Sequence, residues 1–373
     1  EKSAGDDSMN RYELHPIVRS FVRSEFKDDD ERTQVLLALI AGCDQIIVDL
    51  RGSSCSTTSQ TLATRVIDKA EYQFELDNVD EAVETLAESA RDVTAAGQQE
   101  SLVRIGRKLV EATDWQTSPW LQNEKFEPFF REFARVMVEF GKSQEVMSQV
   151  NAFAEATSRG TARFIGLCDL LAYIHWFEGR HDKAIRCGET GIKLKKSLNL
   201  DTHHDPAHNV ALARRDSGHF KEALEFFRYG QELEELLDAE HRSSSRGHAF
   251  YGNIGRCLQL ADRSDMALRF LVRSFDLLQI DKGRDVKLNL GYACLWIGEV
   301  LLRDKQSDSA VRFLTLAVRT WEERAPQRSE ETAIRLRKAG VETEFTEGSM
   351  HTSELHQYCC NWVREFFTRG EQV

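Results

Sequence analysis

The sequence predicts an all-α protein, a right-handed superhelix of stacked helix hairpins (an α-α solenoid). Three observations carry that prediction. From Ala162 onward, four segments repeat one pattern: an apolar helix, a short break carrying Gly or Asp, and a second helix with Ala in its first turn or so. The aligned alanines Ala184, Ala223, Ala267 and Ala310 are 39, 44 and 43 residues apart, and a regular period near forty means a solenoid. Finally, the 373 residues include only five prolines, which favours one repeat array over the two or three compact domains that such a length allows at ~150 residues each.

The second helices are HDKAIRCGETGIKL from His181, HFKEALEFFRYGQEL from His219, RSDMALRFLVRSFDLL from Arg263 and QSDSAVRFLTLAVRTW from Gln306. Alanine is required where two antiparallel helices cross near their turn, because a large side chain would push them apart. The residues four and seven positions later, Phe227/Gly230, Leu271/Ser274 and Leu314/Ala317, are the knobs that fill the next groove. Twelve residues before each alanine stands another small residue, Ala172, Ala211, Gly255 or Gly298, on the facing helix. Two small positions together make a tight hairpin.

Upstream, FEPFFREFARVMVEF and SQEVMSQVNAFAEA fit a fifth unit, with Ala134 and Val146 in the small positions and a spacing of 38 from Val146 to Ala184. Thr58 to Leu76 and Val79 to Ala96 form a sixth hairpin around Ala82. Between Gln98 and Asn123 the pattern breaks into a lone helix and an elbow, DWQTSPW, with Trp115, Pro119 and Trp120. Ser353 to Phe367 places Leu355, Cys359, Trp362, Val363 and Phe366 on one face, as a helix capping the open end of the array does. The resulting division is residues 1–27, then an irregular helical region over 28–123, repeats over 124–343 and a capping helix over 344–373.

From Ala162 to Glu323 the repeats resemble the tetratricopeptide (TPR) signature, in the longer form of forty-odd residues found in kinesin light chain. They lack that family's aromatic early in the first helix and its closing proline; only Pro206 and Pro326 stand near repeat boundaries. In a TPR-like superhelix the first helices line the concave wall. The register then turns Tyr173, Trp176, His208, Asn209, Arg215, Asn253, Arg256, Gln259, Trp296, Glu299 and Arg303 inward. Asn209 and Asn253 are equivalent, each fourteen residues before its repeat's alanine. An Asn amide both donates and accepts, so it can read an extended peptide backbone, as the resemblance to light-chain relatives implies; helix-helix hydrogen bonding is the equal alternative. Arg215, Arg256 and Arg303 add attraction for carboxylates, unless they are merely solvated.

Residues Asn10 to Phe26, NRYELHPIVRSFVRSEF, stand outside the repeat. They are expected to form a short strand, Arg11 to Leu14, that turns at His15-Pro16 into an amphipathic helix, since proline in a first helical turn forfeits no needed amide. The phrase resembles the end of the winged-helix module in STAND-class nucleotide-switch proteins, where a Met/Leu-His-Asp motif and a Leu/Val-Arg helix precede a repeat sensor. Leu14-His15 and Val18-Arg19 match, and Pro16 replaces the usual Asp. The resemblance implies that His15 corresponds to the histidine reading a nucleotide's phosphate. It also implies a sensor of protein or peptide ligands in the concave groove, inside a parent protein that binds ATP or ADP with Mg and oligomerises on activation. A free-standing TPR adaptor or peptide-sensing regulator is the alternative.

Composition narrows the chemistry. The 49 Lys plus Arg against 61 Asp plus Glu leave a net charge of 49 − 61 = −12 with no basic block, which argues against a nucleic-acid partner. The chain has no GxxxxGK[ST] loop, so no ATPase of its own is expected; Gly141-Lys142-Ser143 follows a helical segment. Asp201-Thr-His203-His204-Asp205-Pro206-Ala-His208 resembles a ligand set, but Pro206 makes it an inter-repeat loop entering a helix. His356 and Cys360 share a helical face without a second matched pair. No metal, cofactor or catalytic group is assigned. Val35 to Leu50, the most apolar stretch, contains Asp44 and Asp49, and no membrane span is expected. Glu1 to Asn10 lacks an apolar signal core, so the eight cysteines are read as reduced thiols in a cytoplasmic protein.

Overall fold

Every small residue expected at a hairpin crossing is buried: Ala184, Ala223, Ala267, Ala310, Ala172 and Ala134 have no exposed surface, and Ala211 is 3% exposed. The glycine positions show why. A Cβ on Gly298 would lie 2.6 Å from Leu314 Cγ and 3.2 Å from the Ala310 carbonyl, and one on Gly255 would lie 2.7 Å from Leu271 Cγ. The knob four residues after each alanine thus packs on the small residue twelve before it.

The computed structural model describes residues 29–51, 56–200, 202–237, 247–281, 285–322, 324–338, 340 and 350–370. The strand and helix expected before residue 28, with His15, lie outside them. The described residues form α-helices and no strand: α1 (Asp29–Arg51), α2 (Ser56–Glu75), α3 (Val79–Ala95), α4 (Gln99–Glu111), α5 (Phe126–Glu139), α6 (Ser143–Ala156), α7 (Ala162–Phe177), α8 (His181–Ser197), α9 (Pro206–Asp216), α10 (Phe220–Arg228), α11 (His248–Leu260), α12 (Ser264–Leu278), α13 (Val286–Arg303), α14 (Ser307–Glu322), α15 (Pro326–Lys338) and α16 (Thr352–Gly370). Most pack on their chain neighbours, α16 on α14 being an exception, and α2/α3, α5/α6, α7/α8, α9/α10, α11/α12 and α13/α14 are hairpins. This is an all-α, TPR-like solenoid.

One turn recurs in these hairpins. The first helix ends on a left-handed residue, Gly141, Gly179, Gly218, Asp262 or Lys305. The next amide then donates back to a carbonyl five residues earlier: Lys142 to Met137, Arg180 to His175, His219 to Arg214, Arg263 to Leu258, Gln306 to Leu301, all at 2.8–2.9 Å. The Gly or Asp of the sequence break is that left-handed position except before α14, where it is Lys305, one residue after Asp304, and Gly141-Lys142 belongs to the same turn.

One expectation needs correction. Helix α10 stops at Arg228, where Tyr229 takes a left-handed conformation (φ 51°), so Gly230 is a turn residue and not a knob. The lone helix and elbow stand where the repeat breaks, as expected, and Trp115 of the elbow packs on Phe126, Phe130 and Phe153 with ring centroids 5.4–6.2 Å apart. Helix α1 is long and apolar enough by length and composition to cross a membrane, because two carboxylates are its only charges between Val35 and Leu50; Leu36, Cys43 and Ile47 on it are buried, and it packs on α2. At the other end α16 buries Leu355, Cys359 and Val363 against α14 and α12, with Trp362 edge-on to Phe313.

Candidate functional site: the central cavity

Helices α5, α7, α9, α11 and α13, the first helix of five successive hairpins, bring side chains to one central cavity of about 190 Å3. Seven of the eleven residues expected on the inner wall line it: Tyr173, Trp176, His208, Asn209, Arg215, Asn253 and Trp296. Arg256, Gln259, Glu299 and Arg303 do not. They sit one to two turns toward the C-terminal ends of α11 and α13 and bond to each other. Arg256 Nη1 donates to Glu299 Oε2 at 2.6 Å and to Gln259 Oε1 at 2.8 Å, Gln259 Nε2 donates to Glu299 at 3.2 Å, and Arg303 Nη1 donates to the Gln259 carbonyl at 3.2 Å.

The asparagines hold helices together. Asn209 Nδ2 donates to the Asp169 carboxylate at 2.7 Å and to its carbonyl at 3.2 Å, tying α9 to α7. Asn253 Oδ1 accepts from Arg215 Nη1 at 2.6 Å, tying α11 to α9. Each amide has one half committed; no partner is recorded for Asn209 Oδ1 or Asn253 Nδ2 among the described residues, and both residues line the cavity.

The three inner arginines are neutralised within the chain, contrary to the expected open attraction for carboxylates. Arg215 is clamped by Asp216 through Nε and Nη2 (2.7 and 2.8 Å), Arg256 pairs with Glu299, and Arg303 reaches Asp262 at 3.2 Å. For Arg215 burial opposes the charge, and Asp216 more than reverses that, so its pKa stands above the ordinary arginine value. Trp176 Nε1 donates to the same Asp216 at 2.8 Å.

Sequence reasoning missed Arg135, His248, Asp285, Asn289 and Tyr292, all cavity-lining. Arg135 was legible, since it follows the small residue Ala134 as Tyr173 follows Ala172; its guanidinium lies 4.7 Å from the Tyr173 ring centroid and 3.8 Å from Asp285. His248 donates Nδ1–H to Asp281 and accepts from Asn289 Nδ2, both at 2.9 Å, which fixes its tautomer. Tyr292, four residues before Trp296, stacks on that ring at 5.3 Å, and its hydroxyl is buried with no hydrogen-bond partner among the described residues. Burial pushes its pKa, and the thiols of the core cysteines, upward.

The histidine cluster is structural. Pro206 opens α9 and His204 is buried with Nδ1 3.0 Å from Arg131 Nη2, so that nitrogen must accept. Arg131 also donates to Asp169 Oδ2 and to the Gly166 carbonyl at 2.7 Å, and to Glu127 at 3.0 Å.

No protein-family model and no curated protein matches the chain. Among solved structures it is similar to a kinesin light chain candidate of P. anserina with nearly identical TPR-like repeats, at 16% identity over 54% of this chain and 94% of that one, TM-score 0.35. It is also similar to BtubC (BKLC) of P. vanneervenii, at 16% identity over 80% of this chain and 96% of that one, TM-score 0.33. The hairpin geometry, and not these likenesses, establishes the fold.

Proposed function

We propose that this chain is a protein-binding scaffold that takes a peptide segment of its partner into the central cavity. The carrying observation is that five inner helices converge there with four aromatic rings, Tyr173, Trp176, Tyr292 and Trp296, beside uncommitted amide groups on Asn209 and Asn253. Apolar walls with a few placed polar groups suit a peptide side chain and its adjoining amide. The cationic neighbours are already paired, so the reading favours shape and hydrogen bonding over charge. Selecting a displayed random peptide library on the wild-type protein tests it. Ala249, an exposed residue on the cavity wall, gives the variant Ala249→Trp, expected to lose the selected peptides at least tenfold, while outward Glu222→Ala keeps them. Equal binding to both would move the site elsewhere.

The finer reading is a cytoplasmic sensor region of a STAND-class switch, in which ligand binding in the solenoid releases an autoinhibited nucleotide module and lets the parent protein oligomerise. Leu14-His15 and Val18-Arg19 ahead of a solenoid support it. ATP or ADP with Mg would belong to other parts of such a parent, with His15 toward the phosphate. A P-loop encoded upstream of Glu1 supports the sensor; a start codon there supports the free-standing adaptor.

A further inference from the structure

Helix α15 does not only follow α14; its first turn also reaches across to α5, where the five-hairpin array begins. Arg324, just before α15, places Nη1 2.7 Å from Glu139 Oε2 at the end of α5, with the two side chains 2% and 0% exposed. Arg328 Nη2 donates to the Phe177 carbonyl at 2.8 Å, and its guanidinium lies 4.3 Å from the Phe177 ring centroid and 5.8 Å from that of Tyr292. Gln327 lies against Gly141. The Tyr173 hydroxyl donates to Glu139 at 3.4 Å, and Tyr173 and Tyr292 both line the central cavity. The segment Arg324–Arg328 therefore closes the solenoid on itself and backs two cavity-lining residues, Tyr292 directly and Tyr173 through Glu139.

This seam is held by polar groups. Among the described residues the buried apolar side chains form three clusters, one over Leu36–Phe177, one over Ala211–Phe270 and one over Leu268–Val363, and the seam joins the first and the third. Buried apolar residues of this region, Ala325 and Leu336, belong to the third cluster, with α14 and not with α5. None of the three guanidinium nitrogens of Arg324 meets an acceptor in hydrogen-bond geometry, although all are buried. A buried ion pair with unsatisfied donors recovers little of its desolvation cost. Separating α15 from α5 would rehydrate those groups and uncover the Phe177 ring beneath Arg328.

We propose that the Arg324–Arg328 seam is a latch: it holds the superhelix closed around the central cavity and opens without unfolding the hairpins, to admit a partner segment. The admission of a partner rests on the scaffold reading above; closure itself does not. The test therefore uses the chain alone. Arg324→Met with Arg328→Met should enlarge the radius of gyration in solution X-ray scattering by about a tenth, at unchanged helical circular dichroism. A Cβ on Gly141 would lie 3.7 Å from Gln327 Cβ, within disulfide range. Adding Gly141→Cys and Gln327→Cys to the released variant should return the wild-type dimension when oxidised, and reduction should expand it again. Unchanged dimensions in the released variant, expansion only with loss of helicity, or failure of the cysteine pair to oxidise in the otherwise wild-type chain each overturns the latch. None of these outcomes bears on peptide selection, and failed selection leaves the latch standing.

Discussion

Arg215 on α9 sets its guanidinium 5.1 Å from the ring centroid of Trp296 on α13, spanning the intervening hairpin. Arg256 lies 5.6 Å from the same indole, so one aromatic ring serves two cations. Both cations are paired with carboxylates of the chain. Their charge fixes the spacing of three hairpins and leaves the cavity close to neutral.

Arg215→Ala should therefore act first on stability. Arg215 is 3% exposed, and its removal strips partners from Asp216, Asn253 and Trp296 at once. A loss of about 3 kcal/mol is expected in urea unfolding. Arg215→Lys should recover less than half, because an ammonium cannot hold Asp216 with two donors, bond Asn253 and lie on the indole together. An unchanged midpoint in Arg215→Ala would show that the clamp is ornamental.

Overpacking tests the repeat register. Gly255→Ala gains up to ~1 kcal/mol of helix propensity, but its Cβ would lie 2.7 Å from Leu271 Cγ and 3.1 Å from the Leu271 amide nitrogen. The backbone contact cannot yield by a rotamer change, so overpacking, at roughly 1–3 kcal/mol, wins and the protein melts lower. Ala267→Leu should lose a similar amount at the crossing. A higher melting temperature for Gly255→Ala would mean a loose hairpin.

The fold was legible because each hairpin needs two small residues at one crossing, and four such pairs recur at a near-constant spacing. The cavity was only partly legible. Register says which helix faces turn inward but not how far along each helix the hairpins converge, so Arg256, Gln259, Glu299 and Arg303 were grouped with residues one or two turns away. It also says nothing of partners within the chain: Glu299 on α13 neutralises Arg256 on α11, 43 positions away, Asp216 clamps Arg215 although adjacent residues of a helix do not share a face, and Glu139 and Arg324 are 185 positions apart. Tyr292 stood in view four residues before Trp296, in a helix so generally apolar that no single face marks it.

Acid should destabilise the α5–α7–α9 junction through His204. Burial, and then the Arg131 guanidinium, lower its pKa from 6.5 to about 4, while Glu127 and Asp169 oppose and His203 adds a small push downward. The folded protein keeps this imidazole neutral to about pH 4, whereas the unfolded chain protonates it near 6.5. The unfolded state thus binds more protons in that window, and stability falls as pH drops from 6.5 to 4, by on the order of 3 kcal/mol for this site. His175, lowered to about 4 by burial and then by Arg180, adds in the same direction. His204→Gln, which can still accept from Arg131, should flatten the slope of unfolding free energy against pH over that range; an undiminished slope would assign the acid sensitivity to other groups.

Tyr292 offers a separation of stability from binding. Its hydroxyl is buried at the cavity with no hydrogen-bond partner among the described residues, so the folded chain bears the cost of desolvating it. Tyr292→Phe keeps the ring and its stacking at 5.3 Å on Trp296 and its edge contact at 5.0 Å with Trp321. Removing a buried donor that bonds to nothing should stabilise the protein by up to about 1 kcal/mol. If the cavity takes a peptide segment, the same hydroxyl is free to meet a backbone carbonyl of that segment, and its loss should weaken a selected peptide by about 1 kcal/mol, roughly fivefold in Kd. Calorimetric melting and titration on one preparation read both. A higher melting temperature with weaker binding is the expected pair; a lower melting temperature would mean that the hydroxyl is already satisfied in the free chain, and unchanged affinity would place the peptide away from Tyr292.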